Sequence, residues 1–164
     1  MKNDLRIGLG YDAHRLGENT TLILGGVEIA HSKGLIGHSD ADVLVHAIID
    51  SLLGALALGD IGNHFPDWEA KYKDAVSIDL LRQVYRFIDE AGYEIVNIDS
   101  VIVAQKPRLA AYIQQMRKNI AGSLNTVIEN ISIKATTEET MGFTGREEGI
   151  SAQAVCLLRK TKQK

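Results

Sequence analysis

Asp12 and His14 stand two residues apart, just after Leu5, Ile7 and Leu9 alternate with Arg6, Gly8 and Gly10. If extended geometry continues, both side chains project to one side, opposite Leu9 and Tyr11. A carboxylate and an imidazole so placed can chelate one metal ion, although for the pair alone an exposed turn is the commoner explanation. Further on, in GHSDADVLVHAIID, Asp42, His46 and Asp50 are spaced i, i+4, i+8. On a helix they form one stripe of about 80°. The remaining positions are mostly Val, Leu, Ile and Ala, and ionisable groups buried there without partners are costly. A divalent metal is one such partner. Asp12, His14 and His46 together offer two imidazoles and a carboxylate. Three protein ligands with an open fourth position is the pattern of a catalytic zinc. Asp42 and Asp50 then either orient the His46 ring through hydrogen bonds, or are a helix-start charge and a surface residue.

Two loops add further chemistry. GDIGNHFPDWE follows the long apolar helix, where ligand contacts are readily placed. KATTEETMGFTGREEGI brings hydroxyls, carboxylates and glycines to the start of the last strand. Thr136 and Thr137 can donate to phosphate, Glu139 can hold a hard cation and Arg146 can pair an anion. Neither loop matches a Walker or dinucleotide fingerprint.

The elements that must position these groups follow from periodicity. Residues 5–10 read as a strand, and TLILGGVEIA as a hairpin turning at Gly25-Gly26. Ser39 and Asp42 have capping-box spacing ahead of a long helix, VLVHAIIDSLLGALAL. A second helix is expected from Ser77, as N-cap, to Gly92, then a strand IVNIDSVIVA, then a helix after Pro107 ending at Gly122. ISIKAT and ISAQAVCLL read as closing strands. The order β-(hairpin)-α-β-α-β-β predicts an α+β (α/β-like) domain: a mixed sheet of about four strands, partly parallel, with helices packed on it.

The 164 residues fit one domain, 1–164, with 45% hydrophobic and 24% charged residues. A net charge of −3 gives no reason to expect a nucleic acid or an anionic membrane as partner, so anion-binding charge must be local or metal-borne. Cys156, the one cysteine, sits in the apolar run AVCLL and reads as a buried, inert thiol of a reducing compartment. No signal-like or membrane-length apolar run is present, so the expected location is the cytoplasm.

Taken in order, GYDAHRLG, LGGVEI, GLIGHSDADVLVHAIIDSLLGALALGDIGNHFPD, AQKPRL and KATTEETMGFTGREEGI resemble the cyclodiphosphate synthase family of the non-mevalonate isoprenoid pathway. The resemblance covers essentially the whole chain and implies a stand-alone enzyme without a fused cytidylyltransferase. It implies that the 2-phosphate of 4-diphosphocytidyl-2-C-methyl-D-erythritol 2-phosphate attacks the β-phosphorus, giving the cyclic diphosphate and CMP. The family's zinc ligands fall on Asp12, His14 and His46. His38 and Ser39 match phosphate contacts, and His38 with Thr137 matches the pair that aligns the reacting diphosphate. Glu139 matches the ligand of a second divalent ion, magnesium or manganese.

Methylerythritol binding maps by the same resemblance to Asp60, Ile61, Gly62, Phe65, Pro66, Asp67, Trp68 and Glu69. Cytidine binding maps to Ala104, Gln105, Lys106, Pro107, Arg108, Leu109 and Ala110, with Ala135, Thr136 and Thr137; Glu138 lies within the same substrate loop. The family assembles as a homotrimer with active sites between subunits. Phe143 and Arg146 match residues lining a threefold cavity, where some members bind isoprenoid diphosphates. The chain departs from the family at Trp68-Glu69, at Glu138, and at Glu147, where glycine is frequent. His31 and His64 match no functional position and read as surface residues. Two rival readings are a metal-dependent nucleotide phosphohydrolase, and a non-catalytic trimer binding isoprenoid diphosphate.

Overall fold

In the computed structural model, which describes residues 4–161, the first strand β1 (Leu5–Glu18) runs through the metal-candidate pair. Then come β2 (Leu22–Leu24), β3 (Val27–Ile29), β4 (Lys33–Ile36), α1 (Val43–Ala55) and the short α2 (Ile61–His64). They are followed by α3 (Ser77–Glu90), β5 (Tyr93–Val103), α4 (Ile113–Ser123), β6 (Ile131–Thr136), the turn-like α5 (Gly142–Gly145) and β7 (Gly149–Lys160). Among the described residues the main sheet has five strands in the order β4-β1-β7-β5-β6. Only β5 and β6 pair in parallel. The mixed α+β reading holds. β4 supplies the unexpected fifth strand, and the first helical step of the expected order is two long helices, α1 and α3, in succession.

The side chains of β1 alternate cleanly. Gly8, Gly10 and Leu16 are buried on the inner face, with Asp12 and His14 half-buried there, while Ile7, Leu9 and Tyr11 face outward. α1 lies directly on this inner face. A Cβ at Gly8 would sit 1.8 Å from the Ser51 carbonyl oxygen, and one at Gly10 would sit 1.9 Å from that of Ala47. The two glycines therefore let helix and strand approach backbone to backbone, which brings His46, one turn before Asp50, over Asp12 and His14. α1 is apolar nearly all round because it is covered on every side, by β1 and β7 beneath and α3 above. α3 is amphipathic, burying Ile78, Leu81, Val84 and Ile88, and α4 adds Met116 and Ile120.

Three local expectations are corrected. The N-cap of α1 is Asp42, whose Oδ1 accepts from Val45 N at 3.1 Å; Ser39 lies outside the helix, since the chain turns through a positive φ at Ala41 before the helix begins. α3 is preceded by Val76, so Ser77 is its first helical residue, with its side chain buried rather than capping. α4 starts at Ile113, five residues after Arg108, because the intervening stretch forms turns. The hairpin forms as expected, with Gly25 and Gly26 at φ of 58° and 66° in the turn. Cys156 is fully buried on the inner face, its thiol donating to Ser51 O at 3.2 Å, and burial pushes its pKa up. Among the described residues no helix is long and apolar enough to cross a membrane.

Candidate metal centre and substrate clefts

The inner-face register of β1 and the close approach of α1 bring Asp12, His14 and His46 together. Asp12 Oδ2 is 3.0 Å from His14 Nε2 and 2.9 Å from His46 Nδ1, and the two nitrogens are 3.3 Å apart. Donors around one tetrahedral zinc, at about 2.0–2.1 Å each, stand roughly 3.3 Å from one another. The trio therefore fits a divalent metal in donor type and in spacing, and among the described residues it is the cluster with that property. Both outward nitrogens are engaged: His14 Nδ1 with Ile36 O at 3.1 Å, His46 Nε2 with Ser77 Oγ at 2.8 Å and Ser39 Oγ at 3.2 Å. A carbonyl only accepts, so His14 carries its proton on Nδ1 and turns a lone pair inward.

The electrostatics agree with a cation-seeking site. Burial alone would raise the Asp12 carboxyl, but its hydrogen bonds and charge attraction to His14 and His46 outweigh this and hold it far below the ordinary range. Its carboxylate in turn raises the His14 imidazole above its ordinary value.

The side chains of Asp42 and Asp50 make their hydrogen bonds elsewhere than to the His46 ring. Asp42 is fully buried; besides capping α1 it accepts from Gly25 N at 2.9 Å and Gly26 N at 2.7 Å, clasping the hairpin turn to the helix. Burial raises its carboxyl to about 6, against the pull of those three N–H groups. Asp50 accepts from Ile61 N at 2.8 Å and so fixes the entry to α2; burial raises its carboxyl too. Asp60 caps α2 through Asn63 N at 3.0 Å. The helix-start alternative is the right one for Asp42, and Asp50 is a loop anchor rather than a bare surface group.

A cleft of about 380 Å³ opens over the trio. His38, Ser39, Ile61, Gly62, Phe65, Pro66, Asp67 and Trp68 line it, joined by Tyr72 and Leu80. Trp68 stands 80% exposed at the rim. Asp60 and Glu69 flank the cleft without lining it. His64 is not a free surface group: its Nε2 meets Leu58 O at 2.9 Å and its ring lies 5.2 Å from that of Phe87. His31 is half-buried.

The expected cytidine stretch forms a separate cleft of about 320 Å³. Ala104, Gln105, Pro107, Arg108, Leu109, Ala110, Ala135, Thr136 and Thr137 line it together with Ile113. Lys106 instead pairs with Glu147 at 3.0 Å. Glu139 lies beyond the end of β6, its Oε1 accepting from Thr137 Oγ1 at 3.1 Å, and is outside the donor trio. Glu138 accepts from Thr144 Oγ1, bracing α5. Glu147 has φ of 58°, the left-handed region that favours glycine.

Phe143 and Arg146 line a third cleft, of about 640 Å³, with Arg15 and Lys33. Arg146 Nε also lies 2.7 Å from Glu148 Oε1. Tyr72, Leu80, Arg15, Lys33, Ser77 and Asp40 escaped the sequence reading. Ser77 was visible there only as a helix-start signal; the others carried no signal, being joined to the site by the fold.

Residues 5–159 match the model of the YgbB family. A protein of Clostridioides difficile named 2-C-methyl-D-erythritol 2,4-cyclodiphosphate synthase is 63% identical over 159 residues, covering 97% of this chain and 99% of that protein. Its namesake in Clostridium botulinum is 63% identical over 156 residues, covering 95% and 99%. Among solved structures, the bifunctional IspDF of Campylobacter jejuni superposes with a TM-score of 0.93 at 44% identity, covering 96% of this chain and 43% of that one. The IspF CDP complex of Plasmodium falciparum gives 0.86 at 36% identity, covering 99% and 100%.

Proposed function

This chain belongs to the YgbB family, and from that premise we propose that it converts 4-diphosphocytidyl-2-C-methyl-D-erythritol 2-phosphate to 2-C-methyl-D-erythritol 2,4-cyclodiphosphate and CMP. The relatives carry the synthase name. The observation that carries the reading to this chain's own residues is the convergence of Asp12, His14 and His46 beneath a cleft edged by His38 and Ser39.

In the reaction an oxygen of the 2-phosphate forms a bond to the β-phosphorus. The bond from that phosphorus to the CMP oxygen breaks, and CMP leaves with the electron pair. Two anions must meet, so alignment and charge neutralisation are the main tasks. When bound, zinc at Asp12, His14 and His46 would polarise a phosphate oxygen, and magnesium or manganese at Glu139 would offset charge on the leaving phosphate. Ser39 Oγ accepts from Ala41 N, which leaves its own O–H to donate to a substrate phosphate. His38, exposed beside it, and Thr137 orient the diphosphate. The walls from Ile61 to Trp68 take the methylerythritol unit, and Ala104–Ala110 with Ala135–Thr137 take cytidine.

We read the complete site as shared between subunits of a trimer. Within one chain the metal trio starts from β1 and the cytidine cleft from β5 and β6, two and three strand spacings away, or roughly 10–14 Å across the sheet. The outer sheet face also leaves Ile7 72% and Leu9 69% exposed, an apolar surface suited to a further copy. The third cleft, with Phe143, Arg146, Arg15 and Lys33, combines an aromatic with cations and would suit an isoprenoid diphosphate in such an assembly. The enzyme would act in the cytoplasm as a CMP-releasing lyase.

The test is incubation with the cytidyl substrate, with and without chelator, followed by phosphorus NMR. CMP and cyclic diphosphate should appear together and fail to appear with chelator. An uncyclised phosphate product would make the chain a hydrolase instead.

A further inference from the structure

His46 is held from behind by a short chain of groups. Its Nε2 lies 2.8 Å from Ser77 Oγ, and Ser77 Oγ donates its proton to Asp40 Oδ1. A hydroxyl has one proton. With that proton engaged by a carboxylate, Ser77 can only accept from His46. Nε2 must therefore carry the ring proton, and Nδ1 is left as a lone pair facing Asp12 Oδ2 at 2.9 Å.

Asp40 is itself fixed. Its Oδ2 accepts from Ser77 N at 2.9 Å and its Oδ1 from Asp42 N at 3.3 Å, while Asp40 N donates to Ala75 O at 3.1 Å. Ser77 is fully buried at the first turn of α3. Ser39, the other hydroxyl near Nε2, cannot replace this control. Its own proton is uncommitted, so it can offer His46 a donor or an acceptor equally well.

We propose that Ser77 and Asp40 are positioning residues of the metal centre, fixing the tautomer and ring angle of His46 so that Nδ1 joins Asp12 and His14 as a ligand of a divalent cation. Neither touches substrate. The inference rests on the metal reading above and adds a dependence of metal affinity on α3, an element with no ligand of its own.

The test is zinc titration of the metal-free chain against a chromophoric chelator, for wild type, Ser77→Ala, Ser77→Thr and Asp40→Asn. The wild type should take up zinc. Ser77→Ala removes the acceptor. Asp40→Asn replaces one of two accepting oxygens with an NH2 donor and removes the charge, so that Ser77 N–H, Ser77 O–H and Asp42 N–H compete for one oxygen and the hold on the Ser77 proton weakens. Each should weaken zinc about 10–100-fold, with Ser77→Thr restoring most of the loss. Cobalt loaded into Ser77→Ala should show an altered visible spectrum, a readout independent of turnover. A role confined to packing α3 would lower the unfolding temperature and leave the zinc constant of the folded chain unchanged. Zinc affinity within about twofold of wild type in folded Ser77→Ala and Asp40→Asn overturns the proposal while leaving the metal reading intact. A Ser77→Ala chain that does not fold leaves the decision to Asp40→Asn. A wild-type chain that takes no zinc overturns both.

Discussion

His14 Nε2 and His46 Nδ1 face each other at 3.3 Å with Asp12 Oδ2 within 3.0 Å of both, three acceptor atoms around one point. With the other ring nitrogens engaged by Ile36 and Ser77, these three atoms form a ligand set for a cation, and a proton drawn onto His14 by Asp12 is the competitor that a metal must displace.

His46→Ala should remove zinc and lower CMP release by more than roughly a hundredfold. The fold should persist, because the remaining faces of α1 stay packed. Metal analysis beside far-ultraviolet circular dichroism checks both halves, and full zinc content with normal turnover would refute the ligand set.

His38 lies in the cleft but outside the donor trio. His38→Ala should keep its zinc and lose on the order of a hundredfold in kcat, the scale of one aligning group. Zinc lost in proportion to activity would make His38 a ligand.

Acid should strip the metal. Asp12 raises the His14 imidazole above its ordinary value, and metal binding must expel that proton. Zinc affinity should therefore be level at high pH and fall by up to about tenfold per pH unit once pH drops below that raised value. Titrations across pH 5–9 measure it; an affinity that rises on acidification contradicts the assignment.

Gly10→Ala should destabilise the fold although the residue touches no ligand. Its Cβ would lie 1.9 Å from the Ala47 carbonyl oxygen, which belongs to the α1 backbone and has no rotamer to give. About 3 kcal/mol or more is expected from such overpacking. Denaturant unfolding reads it, and an unchanged midpoint would mean that α1 does not ride on β1.

The shared site can be tested by mixing damaged chains. His46→Ala and Thr137→Ala homotrimers should each be nearly inactive. In a cyclic trimer, random co-assembly in equal amounts should restore roughly a quarter of the sites, one half times one half. The chains must be co-expressed or refolded together. Activity at background in trimers shown by mass spectrometry to be mixed would place a complete site in each subunit.

The alternation at Leu5–Leu9, the Gly-Gly hairpin and the long apolar helix each have a local cause, so their periodicity could be read directly. The same holds for the ligand trio: parity along β1 puts Asp12 and His14 on one face, and helical spacing makes His46 stand out in an apolar stretch. Local signals misled where two residues could each satisfy the same donor. Ser39 and Asp42 both have capping chemistry, and the positive φ at Ala41 gave the cap to Asp42. Asp42 and Asp50 share a stripe with His46, yet a stripe does not say what lies opposite. Asp42 met the hairpin turn and Asp50 the backbone of Ile61. β4 was missed because four residues with a glycine carry too little pattern to distinguish pairing from turn.

Side-chain type and the periods of strand and helix suffice to say which residues could bind a metal, which faces of β1 and α1 they occupy, and what class of fold they belong to. The tertiary structure decided which groups meet. The separation of the cleft lined by Ala104, Leu109 and Ala135–Thr137 from the metal trio follows from strand order in the sheet. The engagement of His46 by Ser77 and Asp40 joins residues 31 positions apart or more. No local propensity encodes such contacts; they exist because burying α1 between β1 and α3 leaves one place where each polar group can find its partner.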